Sequence, residues 1–166
     1  KRGDIGNTGL HYANAFFSHF NCDAITVSPY MGEESIEPFI SNPSKGAYVL
    51  CRTSNKSSTF IQEEIYSKVI SLCEALNNQQ NIGLVLGATN DDALMQVRNS
   101  TDLPFLIPGI GAQGGDLQSV LKINENSMDT TLINVSRGII FSGNKDHDSN
   151  RNSAKQYLNQ LRGLNG

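Results

Sequence analysis

The sequence predicts an α/β fold built on a parallel sheet, and two observations support this prediction. Five short apolar runs alternate along the chain with segments of helical periodicity. The runs are apolar at nearly every position, which is typical of strands buried on both faces of a parallel sheet. Strands that alternate with helices in this way form a parallel sheet covered by helices.

The predicted elements follow one another without an internal repeat. Residues 8–20 carry an apolar stripe at helical spacing, and Gly32 opens a short helix whose first turn is acidic. Pro29 stops the first strand, and Asn90 or Asp91 is the expected N-cap of the fourth helix. The predicted strands are residues 23–28, 46–52, 82–88, 103–107 and 130–135. The predicted helices are residues 8–20, a short one from 32, 63–76, 91–97, one from 115 or 116 to 121, and 152–161.

Polar and glycine-rich residues gather after the carboxyl ends of these strands, as in RTSN, PGIGAQGGD and SRG. In a (β/α)8 barrel such loops build the active site, and phosphate commonly binds the loops after the last two strands. We therefore expect a TIM (β/α)8 barrel, of which this chain supplies about the last five strands and their helices. Residues 1–166 would be the C-terminal two-thirds of a single barrel domain, with about three strands upstream of Lys1.

Composition and charge exclude several classes of function. The formal net charge of −3 provides no positive surface for nucleic acid or an anionic membrane, and no apolar window approaches the ~18 residues of a membrane span. The cysteines contain no CxxC pair and the histidines show no ligand spacing, so we expect reduced thiols, a cytoplasmic location and no metal. These residues are Cys22, Cys51, Cys73, His11, His19 and His147.

The segment PGIGAQGGD, residues 108–116, contains the spacing GxGxxG between a predicted strand and a predicted helix. A dinucleotide site would need an acidic residue about 20 positions later, and the strand around Asn134 has none there. We favour an anion-binding loop in which backbone N–H groups and the Gln113 amide donate to a phosphate. A tight turn with glycines at positive φ is the alternative.

Two further segments carry polar groups toward the same end of the sheet. In NVSRG, Arg137 could hold a phosphate bidentately while the N–H groups of Ser136 and Arg137 complete the site, and a salt bridge at the rim is the alternative. In RTSN, the hydroxyls of Thr53 and Ser54 and the amide of Asn55 suit the carbonyl and imide edge of a base. Turn or helix-capping hydroxyls are the alternative there.

The first eight residues, KRGDIGNT, contain the charged pair that is best placed for proton chemistry. Lys1 and Asp4 lie three residues apart, directly before two glycines and a threonine. An ammonium group can donate a proton, and a neighbouring carboxylate keeps it charged. An ordinary surface pair of lysine and aspartate is the alternative.

Taken together, these segments resemble orotidine 5′-phosphate decarboxylases, in the branch whose catalytic segment reads D-x-K-x-x-D-I-G-N-T. The resemblance runs in order through most of the chain, from Lys1 to at least Arg137. PGIGAQGGD combined with KRGDIGNT is its most specific part. The segments that carry it are KRGDIGNT, SPYMG, YVLCRTSN, GLVLGAT, IPGIGAQGGD and INVSRGI.

The resemblance implies a lyase that converts orotidine 5′-phosphate to UMP and CO2, the last step of de novo pyrimidine synthesis, without metal or organic cofactor. It implies a homodimeric barrel with active sites at the subunit interface. Lys1 matches the proton donor to C6, Asp4 matches an aspartate that reaches into the partner's site, and Thr8 matches a contact to the partner's nucleotide. The positions that match base and phosphate contacts are Thr53, Ser54, Pro108, Gln113, Ser136 and Arg137.

The chain also departs from the family pattern. The first aspartate of D-x-K-x-x-D would lie two residues before Lys1, and the family's other catalytic lysine and ribose-binding aspartate lie on earlier strands. Residues 141–148 show no tyrosine that could cover the phosphate. Two other functions stay open: a non-catalytic barrel fragment that binds a nucleotide or phosphate, and a phosphosugar isomerase or aldolase on the same barrel. Nothing in the residues indicates fusion to an orotate phosphoribosyltransferase domain.

Overall fold

The computed structural model describes residues 1–111 and 113–163. Within these residues, five strands alternate with seven α-helices. The strands are β1 (Ala24–Val27), β2 (Gly46–Arg52), β3 (Ile82–Leu86), β4 (Phe105–Pro108) and β5 (Thr131–Asn134). The helices are α1 (Gly6–Asn14), α2 (Glu37–Ile40), α3 (Thr59–Leu76), α4 (Asp91–Arg98), α5 (Leu117–Ile123), α6 (Arg137–Ile140) and α7 (His147–Leu161).

All five strands lie parallel in one sheet, in the order β1-β2-β3-β4-β5. Each strand therefore pairs with the next one along the chain, as in a (β/α)8 barrel. A dinucleotide-binding sheet reverses its strand order at a switch point, and this sheet does not. The topology thus excludes the dinucleotide interpretation of the glycine loop.

The first residues of the chain extend the sheet beyond β1. The Arg2 N–H donates to the Thr26 carbonyl at 3.0 Å, and the Ser28 N–H donates to the Arg2 carbonyl at 2.6 Å. Arg2 thereby forms a parallel bridge with Val27. Lys1 and Asp4 flank this bridge, so they lie at the carboxyl end of β1.

The two faces of the sheet differ in burial. Along β2, Ala47, Val49 and Cys51 are buried in one core with residues of the helices, whereas Tyr48 and Leu50 between them are half-buried. Paired residues in neighbouring strands point to the same side, so the register extends this alternation across the sheet. We call the second side the open face, and it comprises Thr26, Tyr48, Leu50, Gly83, Val85, Leu106, Pro108, Leu132 and Asn134.

The predicted elements are all present, two helices begin earlier than predicted, and one short helix was not predicted. Helix α3 begins at Thr59 and not at residue 63, because a 3-10 turn from Lys56 to Ser58 leads into it. Helix α7 begins at His147 and not at residue 152, because the Asp146 side chain accepts a hydrogen bond from the Ser149 N–H and caps it. Helix α6 was not predicted, since its four residues are too few to show a period.

Two N-caps lie next to the polar loops. Asn90 Oδ1 accepts from the Ala93 N–H at 2.9 Å, which confirms one of the two caps predicted for α4. Asp116 caps α5 through a 2.9 Å bond from the Ser119 N–H, so this helix begins one residue after the later predicted start. Because these caps end the helical hydrogen bonding at Asn90 and Asp116, the loops before them take no part in it.

None of the helices in the described part of the chain is long and apolar enough to cross a membrane.

Candidate active site at the carboxyl ends of the strands

The loops after β2, β3 and β4 enclose a polar cavity of about 340 Å³. The loop after β2 supplies most of its wall, the loop after β3 supplies a second side, and Gln113 of the glycine loop closes it. Thr53, Ser54 and Gln113, which the sequence predicts as site residues, thus share one cavity. Its lining consists of Arg52, Thr53, Ser54, Asn55, Lys56, Ser58, Thr59, Gly87, Thr89, Asn90, Ala93 and Gln113.

A side-chain hydrogen bond joins the loops after β2 and β4. The Ser54 hydroxyl donates to Oε1 of Gln113 at 2.6 Å, across a separation of 59 residues. A primary amide that accepts through its oxygen presents its NH2 group as a donor to a ligand. The contact therefore fixes both side chains, and the NH2 group of Gln113 can still donate hydrogen bonds to a ligand.

Thr53 bonds to Asn55 in its own loop and to Gln62 of α3, and within the described part of the chain it makes no bond across the cavity. Its hydroxyl lies 2.6 Å from Asn55 Oδ1 and 2.9 Å from Gln62 Nε2, and its N–H donates to Gln62 Oε1 at 2.7 Å. These bonds favour the turn interpretation for the Thr53 hydroxyl. They also identify Gln62, which the sequence analysis missed, as the side chain that fixes Thr53, and no local pattern indicates it because it lies one turn into α3.

A β-bulge directs the end of β2 toward the helices. The register shifts between Leu50 and Arg52, and Arg52 is buried. Its guanidinium forms an ion pair with Glu63, and it lies 5.0 Å from the centre of the Tyr66 ring. Bulges of this kind re-aim side chains next to active sites. Here the bulge points Arg52 toward α3, and its contacts with Glu63 and Tyr66 fix the strand end that precedes Thr53 and Ser54.

Three glycines of the segment 108–116 adopt positive φ: Gly109 (106°), Gly111 (71°) and Gly114 (91°). The N–H groups of Gly111, Gly114 and Gly115 donate to carbonyl oxygens inside the loop at 2.8–3.1 Å. The tight-turn interpretation is therefore correct for these groups, and they are not free donors in this structure. A phosphate bound here would therefore receive more of its hydrogen bonds from side chains, and fewer from backbone N–H groups, than the sequence predicts.

Glycines also let the loops approach one another. A Cβ atom at Gly87 would lie 2.6 Å from the backbone nitrogen of Ser54, and one at Gly115 would lie 2.6 Å from Cβ of Ala88. Real side chains do not tolerate such distances. The contact between Ser54 and Gln113 therefore depends on close backbone packing that only glycine permits at these two positions.

Lys1 lies on the open face, at the same end of the sheet. The Arg2 guanidinium packs over the ring of Tyr12 in α1 and the ring of Phe16 just after it, at 5.6 and 5.8 Å from their centres. Since side chains alternate along a strand, the Lys1 side chain belongs to the opposite side. Asp4 accepts a 2.9 Å bond from the Ile5 N–H. Neither Lys1 nor Asp4 forms a salt bridge within the described residues, so they are not a surface ion pair.

The remaining predicted site residues do not line the polar cavity. Pro108 is half-buried at the end of β4 and pairs in register with Asn134 of β5. Ser136 and Arg137 follow β5 and are exposed, and over residues 1–111 and 113–163 Arg137 forms no salt bridge of the kind the alternative interpretation required. Thr8 is exposed in the first turn of α1, apart from the polar cavity. The structure thus leaves Arg137 and Thr8 available to a ligand or a partner.

Two buried thiols can be set aside as nucleophiles. Burial raises the pKa of Cys51 and of Cys73 to about 12, so both are protonated at neutral pH. The described residues contain no cluster of three or more histidine, cysteine, aspartate or glutamate side chains arranged to hold a metal ion.

Comparison with known proteins gives a consistent family match. A family model described as Orotidine 5′-phosphate decarboxylase / HUMPS family matches residues 1–151. Over 152 residues the chain is 44% identical to the orotidine 5′-phosphate decarboxylase of Natronomonas pharaonis, an alignment that covers 86% of this chain and 56% of that protein. The chain therefore spans little more than half the length of this relative.

Two solved structures from Leishmania donovani are similar over 99% of the chain. The OMP decarboxylase has a TM-score of 0.84 at 38% identity, and the chain covers 66% of it. The UMP synthase has a TM-score of 0.86 at 40% identity, and the chain covers 38% of it. The fold prediction is confirmed: the five parallel strands form part of a TIM barrel.

Proposed function

Because the chain belongs to the orotidine 5′-phosphate decarboxylase / HUMPS family, we propose that the complete protein converts orotidine 5′-phosphate to UMP and CO2. One observation carries the proposal: Lys1, the bonded pair of Ser54 and Gln113, and Arg137 all lie at the carboxyl end of one parallel sheet. This is the end at which barrel enzymes place their chemistry. The reaction would be the last step of de novo pyrimidine synthesis.

Lys1 is the proposed proton donor. Loss of CO2 from C6 leaves a carbanion that the pyrimidine ring stabilises poorly. An ammonium group held beside C6 stabilises this charge electrostatically and then supplies the proton. The position of Lys1 on the open face supports this role, because that face would line the inside of a closed barrel.

The two ends of the substrate are assigned to different loops. Ser54 and Pro108 contact the base, with Thr53 holding the loop, and Gln113, Ser136 and Arg137 bind the phosphate. Gln113 supplies an amide donor, and Arg137 supplies a fork of N–H groups that matches phosphate oxygens. The phosphate lies away from the reacting carbon, yet its binding energy lowers the barrier by fixing the ring against the lysine.

The open face supports the proposal that residues 1–166 are the C-terminal two-thirds of one barrel domain. β3 is buried on both faces, whereas Leu132 of β5 is 53% exposed on the open face. Parallel strands are normally covered on both sides. Further strands that pair with β5 and with the segment beside β1 would cover this surface and close the barrel.

We further propose a homodimer in which Asp4 and Thr8 serve the partner's site. Both lie at the junction of the β1-adjacent segment and α1, where Ile5 and Leu10 are 55% and 50% exposed. Exposed large apolar residues of this kind are typical of an interface. The three free cysteines are consistent with a cytoplasmic location.

The test uses the complete enzyme and the loss of orotidine 5′-phosphate absorbance. Lys1→Ala should reduce turnover by about a thousandfold or more while UMP binding stays measurable, because the proton donor and its charge are removed. Lys68→Ala, an exposed lysine of α3, is the matched control and should keep full activity. Near-normal turnover of Lys1→Ala would refute the assigned role.

Mixing two inactive variants tests the shared site. If Lys1 and Asp4 of one active site come from different subunits, a heterodimer of Lys1→Ala and Asp4→Ala contains one intact site. A randomly assorted mixture should then recover about a quarter of the wild-type activity. No recovery, in dimers shown to exchange subunits, would place both residues in the same subunit's site or exclude Asp4 from it.

A further inference from the structure

Helix α7 contacts the rest of the chain through one stripe of half-buried residues. It has no fully buried residue, and its half-buried positions include Asn150, Ser153, Tyr157 and Leu161. These positions are three or four residues apart, so they form one face of the helix. The face packs against α6 and α5 and borders a cavity of about 300 Å³ beside the glycine loop.

Tyr157 touches both segments assigned to the phosphate. A Cβ atom added at Gly111, two residues before Gln113, would lie 2.7 Å from the Tyr157 hydroxyl oxygen. A Cβ atom added at Gly138, directly after Arg137, would also lie 2.7 Å from that oxygen. The hydroxyl therefore sits between the two loops, in space that only glycine leaves open on either side.

A second contact fixes α7 to the same turn. The Ser153 hydroxyl, one helical turn before Tyr157, donates to the Gly138 carbonyl at 2.8 Å. Helix α7 thus holds the segment of Arg137 by a hydrogen bond and by the packed tyrosine ring, whose Cε2 atom would lie 3.4 Å from a Cβ at Gly138. These two contacts fix α7 against the turn that carries Arg137.

We propose that Tyr157 is a positioning residue for phosphate binding: it keeps the loop of Gln113 and the loop of Arg137 at the spacing that one phosphate monoester requires. The inference rests on the proposed function. Gln113 and Arg137 come from different loops, and neither loop bonds the other among the described residues. Preorganised donors bind more tightly because the ligand does not have to order them.

The test compares UMP with uridine in the complete enzyme, by titration calorimetry. Tyr157→Ala should weaken UMP binding by about tenfold and leave uridine binding unchanged, because uridine lacks the phosphate. Arg137→Ala is the positive control. Leu158→Ala, the exposed neighbour on α7, is the matched control and should change neither affinity. A melting temperature measured for each variant identifies any loss of folding.

A paired substitution distinguishes positioning from general stability. Gly138 lies in helical backbone, so the strain of Gly138→Ala comes chiefly from its Cβ, which would lie 2.7 Å from the Tyr157 hydroxyl oxygen, while the next contact, Val135 Cγ1, would lie at 3.3 Å. Gly138→Ala alone should displace the tyrosine and weaken UMP binding several-fold. Adding Tyr157→Phe removes the clashing oxygen and should restore the affinity to within about twofold of the wild type.

Three results would overturn the inference: UMP affinity of Tyr157→Ala within twofold of the wild type, an equal loss for UMP and uridine, or no rescue of Gly138→Ala by Tyr157→Phe. A different failure is recognisable. If the wild-type enzyme itself binds UMP no more tightly than uridine, the phosphate assignment of the proposed function is wrong, and the role of Tyr157 falls with it.

Discussion

Replacing Ser54 and Gln113 by alanine, singly and together, tests whether the loops after β2 and β4 act as one unit. The bond between them is short, at 2.6 Å, and joins two uncharged groups that are exposed to solvent. A net contribution of about 1 kcal/mol is expected for such a bond, within a usual range of about 0.5–1.5 kcal/mol. Because this bond connects the proposed base contact to the proposed phosphate contact, its energy should appear in the binding of the nucleotide.

The assay is a double-mutant cycle on kcat/KM and on UMP affinity. Each single variant already loses the bond, so the double variant should be about fivefold better than the product of the two single effects predicts. Ser57→Ala is the control, since Ser57 lies in the same loop and its one side-chain bond among the described residues is the local one that its hydroxyl accepts from Asn55. Strictly additive losses would show that the two side chains bind substrate independently, and would refute the coupled loops.

Two further outcomes depend on pKa shifts. At pH 8 a thiol reagent should label Cys22 alone in the folded protein and all three cysteines after denaturation. The reason is that burial raises the pKa of Cys51 and of Cys73 to about 12. Labelling of all three at equal rates in the folded protein would contradict the burial of these two. The hydrogen bonds that cap α5 lower the pKa of Asp116, so its contribution to stability is present above about pH 4 and is lost as the pH falls through the lowered pKa. Asp116→Asn, which keeps a capping group, should flatten urea-measured stability against pH below about pH 4, and an unchanged slope would exclude this contribution.

Strand positions were predictable because the strands are apolar at nearly every position, which is a local signature. The segment Gly46–Arg52 is a strand over the predicted residues, and β1, β3 and β5 lie inside their predicted ranges. The start of α7 was not predictable from periodicity, since residues 147–151 are polar and exposed or half-buried. That start is set by a single side chain, Asp146, whose cap is visible only once the helix direction is known.

The site was predictable as a set of residues but not as a set of contacts. The resemblance marked Ser54 and Gln113 separately, and their bond depends on the close approach of backbones at Gly87 and Gly115. Gln62 was not predicted for the same reason. Its side chain reaches Thr53 because of the direction in which α3 leaves the loop. Contacts between residues this far apart in sequence depend on the tertiary structure, so residue spacing along the chain does not predict them.

The two faces of the sheet have different roles: one holds the hydrophobic core, and the other carries the proposed proton donor. The helix-covered face holds the contiguous core, in which Val49 and Phe105 are fully buried. The open face carries Lys1 and is incompletely covered, although it borders the loops that hold Ser54. Large-to-small changes in the core should therefore cost stability, by about 2–5 kcal/mol for a large aliphatic residue replaced by alanine. Changes on the open face should mainly impair turnover, because that is the surface on which the proposed proton donor lies.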